Sequence, residues 1–99
     1  MTVRMTLQTR LLLSAFDGED REWYGRELVA ATRLPQGTVY PMLARLERAG
    51  WVSGRVESAG ERGGEARPPR RYLRLTEAGV VAARAALVSL PSRVLEAAS

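Results

Sequence analysis

The sequence predicts an α+β fold, mainly helical with one small β-hairpin, and three observations carry that prediction. Between Leu34 and Trp51, Val39, Leu43 and Leu46 recur at helical spacing, whereas Thr38, Pro41, Arg45 and Arg48 lie off that stripe. Past Gly50, a residue that tolerates the left-handed conformation that ends helices, residues 51–57 and 70–75 alternate like two short strands joined by a polar loop. Ahead of both, a second helical pattern stops about four residues short of the next one, across Thr32-Arg33-Leu34-Pro35, the usual turn length of a helix-turn-helix. Helix, turn, helix, hairpin is the order of a winged helix-turn-helix.

The first helix is expected over residues 5–16, where Leu7, Leu11, Leu12, Leu13 and Phe16 form a dense apolar stripe closed by the turn pair Asp17-Gly18. Apolar on more than one side, it is expected to support the motif and to touch a partner subunit. Residues 18–22 are an acidic connection of the kind that suits the positive end of a helix. The second helix is expected from Trp23 or Tyr24 to Thr32, with Leu28 and Val29 inward, Ala31 close by, and Arg26 and Glu27 toward water. Pro35 can start the third helix at no cost, but Pro41 lies further in, where its missing N–H leaves the Gly37 carbonyl unpaired. A kink at Pro41 or a late helix start is therefore expected.

Residues 58–69, twelve residues with three glycines and two prolines, offer nothing to a core and are expected to form a wing loop that is mobile without ligand. Thr76 caps a last helix, with Glu77 in its first turn and an apolar body running to Leu90. So small a domain cannot cover such a helix on all sides. Val80, Val81, Leu87, Val88 and Leu90 are therefore expected at a two-fold interface, with alanines permitting close approach. Pro91 stops or kinks the helix, and residues 92–99 make a short turn or a frayed tail. Residues 1–75 form the winged domain and 76–99 the dimerisation helix, together one compact unit.

Composition narrows the function. The chain has 99 residues, one domain's worth, and burial of about 60 to 70% of its unfolded surface is what that size allows. There is no cysteine and no histidine, which removes disulfides, zinc-finger ligands, thiol nucleophiles and imidazole bases together. The remaining acids are scattered on polar surfaces, so neither an enzyme nor a metal or other cofactor is expected. No apolar run approaches a membrane span and no signal-peptide core opens the chain, so a soluble cytoplasmic protein is expected.

All fifteen basic residues are arginine, a bias that a GC-rich genome or a phosphate-binding surface would each produce. Position separates these readings. Residues 1–32 carry four arginines against five acids, residues 33–74 nine against four, and residues 75–99 two against two. The excess falls on the third helix and the hairpin, the electrostatic footprint of nucleic-acid binding.

A helix in the major groove shows its N-terminal residues to base edges and its flanks to phosphates. Gln36, Gly37, Thr38 and Tyr40 are the candidates for base contact: glutamine reads adenine, threonine offers a hydroxyl or a methyl, and Gly37 admits close approach. Arg45, Arg48, Arg62, Arg67 and Arg70 are candidates for phosphate. Competing readings place Tyr40 as a wedge between the second and third helices, and pair Arg62 and Arg67 with Glu61 and Glu65. Trp23 and Trp51 occupy positions where a large side chain seals a small core, which favours packing over ligand stacking.

Four strings in order, Arg21-Glu22-Trp23-Tyr24-Gly25, Gly37-Thr38-Val39-Tyr40-Pro41, Leu46-Glu47-Arg48-Ala49-Gly50-Trp51 and Pro69-Arg70-Arg71-Tyr72-Leu73-Arg74-Leu75-Thr76-Glu77-Ala78-Gly79, resemble the PadR-like transcriptional regulators over roughly three quarters of the chain. The resemblance implies a homodimeric repressor of double-stranded DNA whose last helix dimerises. It further implies a third helix that runs through Pro41 with a kink, and a hydrogen bond from Tyr24 to a DNA phosphate, the other reading of Tyr24 being packing under that helix. Some relatives bind flat aromatic effectors against a tryptophan of the C-terminal helix. This chain has none there, and its C-terminal region is short, so an effector is unsupported. A winged-helix module that docks a protein instead of DNA is the rival reading, but it calls for an apolar patch on the third helix that the sequence does not show.

Overall fold

The structure, a computed structural model, describes residues 3–16 and 21–89, with side chains through Ala86. In chain order it contains α1 (Leu7–Ala15), β1 (Trp23–Tyr24), α2 (Gly25–Thr32), α3 (Gln36–Arg48), β2 (Val52–Val56), α4 (Ala59–Arg62), β3 (Arg71–Leu75) and α5 (Glu77–Ser89). The three strands form one antiparallel sheet in the order β1-β3-β2. The expected fold class, α+β with a winged helix-turn-helix, is what the chain adopts. The Asp17-Gly18 turn, Leu90, Pro91 and residues 92–99 lie outside the described residues, as do the side chains of Leu87 and Val88.

Helix α1 begins where Thr6 accepts the Thr9 N–H at 3.1 Å, satisfying a donor that the first turn leaves open. Its inward stripe, Leu12 and Leu13 followed by Phe16, is fully buried against α2 and α5. Leu28 of α2, Val39 and Leu46 of α3, and Val52, Leu73 and Leu75 of the hairpin complete the core from the other side. One core thus roots every element except α4, which buries no residue.

The second helix starts at Gly25, two residues later than its earlier expected start, because Trp23 and Tyr24 are a strand. Trp23 stands opposite Leu73 and Tyr24 opposite Tyr72. The Trp23 indole N–H donates to the Phe16 carbonyl at 2.9 Å in a buried setting, so this tryptophan packs the core. Glu27 does not simply face water: it accepts the Tyr24 N–H at 3.1 Å, capping α2, and receives Arg21 at 3.3 Å. Arg33 closes α2 in the left-handed region with φ 59°.

Helix α3 starts without delay. The Pro35 carbonyl accepts from Thr38 and Val39, and the helix continues through Pro41 to Arg48. Gly37 and Pro41 are both exposed, so the carbonyl that proline leaves without an N–H partner is accessible to water. Past Gly50 (φ 80°) the chain turns into β2, whose register with β3 runs from Val52↔Leu75 to Val56↔Arg71.

Residues 58–69 contain more regular structure than the loop expected there. Ser58 accepts the Glu61 N–H at 3.2 Å while Glu61 accepts the Ser58 N–H at 3.0 Å, and this reciprocal cap holds the single turn α4. Gly63 and Gly64, at φ 62° and 82°, then reverse the chain. Helix α5 is fixed to the hairpin by its cap: Thr76 Oγ1 donates to the Gly50 carbonyl at 2.6 Å and accepts the Gly79 N–H at 3.1 Å. A methyl group at Gly79 would collide with the Trp51 carbonyl, so only glycine allows this approach. Among the described residues no helix is long and apolar enough to cross a membrane.

Candidate nucleic-acid interface

Helix α3 turns Val39, Met42, Leu43 and Leu46 into the core, Met42 joining the three residues that periodicity had marked. That orientation leaves Gln36, Gly37, Tyr40, Pro41, Arg45 and Arg48 exposed and Thr38 half-buried. The expected base-contact residues therefore share the first turns of one outward surface. Arg45 and Arg48 occupy its last turn, where the negative end of the helix favours them. Neither pairs with a carboxylate among the described residues.

Tyr40 reconciles its two readings. Its ring lies so close over Gly25 that any Cβ there would strike it, which seals the contact between α2 and α3. It is nevertheless 44% exposed, so part of the ring remains outward. Tyr24 meets Tyr72 edge to face, with centroids 6.2 Å apart, and carries the Arg70 guanidinium 4.4 Å from its ring centroid. Tyr24, Gly25, Tyr40, Leu43, Arg70 and Arg71 surround a groove of about 280 Å³ between α2, α3 and β3.

The wing treats its arginines differently. Arg67 donates to Glu57 through Nη1 at 2.7 Å and Nη2 at 3.1 Å, and to Glu65 through Nε at 2.6 Å. Glu57 is only 5% exposed and also accepts the Arg70 N–H and the Tyr72 hydroxyl, each at 3.2 Å. The hydrogen bonds from Arg67 above all, then those from Arg70 and Tyr72, hold its carboxyl at about 2 against the upward push of burial. Arg62 donates to the Arg67 carbonyl at 2.9 Å. Of the two pairings expected from spacing, Arg67 with Glu65 forms, whereas Glu61 goes to Arg55 instead of Arg62.

Arg55 joins three parts of the fold. It binds Glu22 ahead of β1 at 2.6 and 2.8 Å, binds Glu61 of α4 at 2.8 and 2.9 Å, and lies over the Tyr72 ring at 5.0 Å. Its hydrogen bonds bring the Glu61 carboxyl to about 2 and lower that of Glu22. Arg71 makes a two-bond pair with Glu47 of α3, one of them at 2.7 Å, lying across Gly54 where any side chain would obstruct it. Every acid between residues 33 and 74 is thus engaged by Arg55, Arg67 or Arg71. Arg33, Arg45, Arg48, Arg62, Arg70 and Arg74 make no salt bridge among the described residues, although Arg74 lies near enough to Glu22 to help lower its carboxyl. Glu22, Arg55 and Glu57 were not singled out by the sequence. The alternation of residues 51–57 and the Ser58-x-x-Glu61 cap were the signals at hand for Glu57 and Glu61.

On α5, Gly79, Ala83 and Ala86 are buried and Val80 is half-buried against the core. Ala78 and Ala85 are exposed on the other side and Val81 is 67% exposed. Trp51 is partly buried and packs on the core. No group of three or more metal-ligating side chains forms among the described residues.

Two helices joined by a three-residue turn, with a hairpin beside the second and open arginines along it, define a winged helix-turn-helix protein. The chain matches the Transcriptional regulator PadR-like family over residues 19–85, and it belongs to that family of transcriptional regulators. Its fold is similar to that of smu.1704 from Streptococcus mutans UA159, with a TM-score of 0.64, 20% identity, and 89% of this chain and 81% of that one covered. It is also similar to a transcriptional regulator from Clostridium thermocellum, Cth-833, with a TM-score of 0.61, 22% identity, and 86% and 82% covered. A comparison with curated proteins finds no match.

Proposed function

We propose that the protein is a homodimeric repressor that binds a pseudo-palindromic operator, one α3 entering the major groove of each half-site. The observation that carries this reading is the outward surface of α3, where Arg45 and Arg48 stay open while all neighbouring acids are engaged elsewhere. Gln36, Gly37, Thr38 and Tyr40 read base edges from its N-terminal turns. Tyr24, Arg45, Arg48, Arg62 and Arg70 hold phosphates. Arg67, a phosphate candidate by position, is committed to Glu57. Val81 and the sequence positions Val80, Leu87, Val88 and Leu90 form the dimer contact, and repression itself rests on the family.

Competition titrations test the reading. Gln36→Ala or Thr38→Ala should lose about 1 to 3 kcal/mol on a selected operator and much less on random duplex, whereas Arg48→Ala should weaken both alike. Equal losses on both duplexes for the first two would remove them from sequence reading. Val81→Asp should reduce the dimer fraction in light scattering at micromolar concentration, and a monomeric wild type would sink the two-fold arrangement. A protein-docking role would appear instead as absence of salt-dependent binding to any duplex.

A further inference from the structure

We propose that Glu57 and Arg67 form a strut that positions the wing for DNA, so that an acid inside the basic segment raises DNA affinity. The inference rests on the DNA-binding reading above, and it concerns residues that reading does not use. Glu57 stands at the mouth of the wing loop, just beyond β2, and its N–H donates to the Arg70 carbonyl at 2.7 Å. The ladder thereby extends one step past the Val56↔Arg71 pair. Both carboxylate oxygens accept twice: Oε1 from Arg67 and the Arg70 N–H, Oε2 from Arg67 and the Tyr72 hydroxyl. One buried carboxylate thus fixes the far side of the loop through Arg67, the backbone of Arg70, and the ring of Tyr72 against which Tyr24 packs.

No apolar packing can do this work, because α4 buries nothing and Val56 is 64% exposed. Arg55, gripping Glu22 and Glu61, is a second tie that draws α4 onto the sheet. Arg70 and Arg62 make no salt bridge among the described residues, and Glu57 and Arg67 determine where their charges sit: Glu57 bonds the Arg70 N–H, and the Arg67 carbonyl receives Arg62. Glu57 is a positioning residue, acting through Arg70 and the loop.

The two electrostatic expectations have opposite signs. If charge alone mattered, deleting Glu57 would leave Arg67 held by Glu65 only, add positive charge to the face and tighten binding. A strut predicts weaker binding, because the loop would be ordered anew in each complex. The full chain should be titrated by fluorescence anisotropy against its selected operator and a random duplex over a salt series, as wild type, Glu57→Ala, Glu57→Gln, Arg67→Ala and the double alanine variant. Glu57→Ala should bind about tenfold more weakly, the order of one charge-assisted hydrogen bond. Glu57→Gln, which keeps an acceptor for the Arg70 N–H and the Tyr72 hydroxyl, should recover part of that loss. Arg67→Ala should weaken binding with an unchanged log–log salt slope, and the double variant should lose no more than either single one.

Tighter or unaltered binding by Glu57→Ala overturns the strut while leaving the DNA reading intact. A slope lower by about one per subunit in Arg67→Ala also overturns it, since that is the mark of a direct phosphate contact. Should Glu57→Ala not fold, as thermal melting will show, the Arg67→Ala slope decides alone. Failure of the wild type to bind any duplex overturns both readings.

Discussion

Arg45 and Arg48 on α3 reach solvent without a described carboxylate partner, whereas Arg55, Arg67 and Arg71 on the wing are each held by glutamate. The two regions differ in what anchors them. Helix α3 buries four apolar side chains, so its shape is settled before any charge is considered. The wing buries Val52, Leu73 and Leu75 only near its root, and from Val56 outward it is built of charge-assisted hydrogen bonds. Identical residues thus stay exposed where the backbone is anchored by the core and serve as scaffold where it is not. A net charge counted along residues 33–74 merges the two roles.

The comparison is most severely tested by Leu46→Ala, since Leu46 is 1% exposed at the root of α3. It should cost about 2 to 5 kcal/mol of global stability in urea denaturation followed by tryptophan fluorescence. A loss under about 1 kcal/mol would mean that α3 is not anchored as described.

Acid should separate the regions next. Glu57 and Glu61 sit at about 2 in the folded chain, depressed from an ordinary 4.5 by their arginine partners. A depressed carboxylate stabilises the fold fully above its ordinary value and loses that contribution as pH falls toward the folded one. Wing amide resonances should therefore stay constant from neutral pH to about 5 and change between roughly 4.5 and 2, while α3 resonances hold longer. With no histidine in the chain, no side chain has its ordinary transition near neutrality. Wing changes centred near pH 6 would contradict the assignment.

Smaller effects sharpen the boundary. Glu47→Gln removes the exposed tie between α3 and Arg71, and should cost only about 0.2 to 1 kcal/mol in a thermal melt. Val56→Thr, far out on the wing, should stay within about 0.5 kcal/mol of wild type. A larger loss at Val56 would reveal a covered surface there.

Much of α3 was legible because its signals are local: a helical stripe, Gly50 at its end, and prolines that periodicity had to accommodate. The Thr76 cap and the sealing roles of Trp23 and Trp51 were legible for the same reason. Strand β1 was not, since two residues carry no period and their partner strand lies about half the chain away in sequence. The wing network hides similarly: Arg55 and Glu22 stand 33 residues apart and Arg67 and Glu57 ten, separations at which no pattern rule pairs charges. Neighbour spacing did find Arg67 with Glu65, but missed the buried acid that holds the same guanidinium.

The Thr76–Gly79 junction has a mechanical consequence. Thr76 ties its N–H to the Trp51 carbonyl at 3.0 Å and its hydroxyl to Gly50, and Gly79 presses against the same peptide. The end of α3 and the start of α5 therefore meet at a fixed joint, and α5 leaves it as an arm whose inner face lies against α1. Thirteen residues make an arm about 20 Å long, so a tilt of roughly 10° at the joint swings its far end by about 3 Å. A side chain at position 79 would strike the Trp51 carbonyl and bend that arm at its pivot.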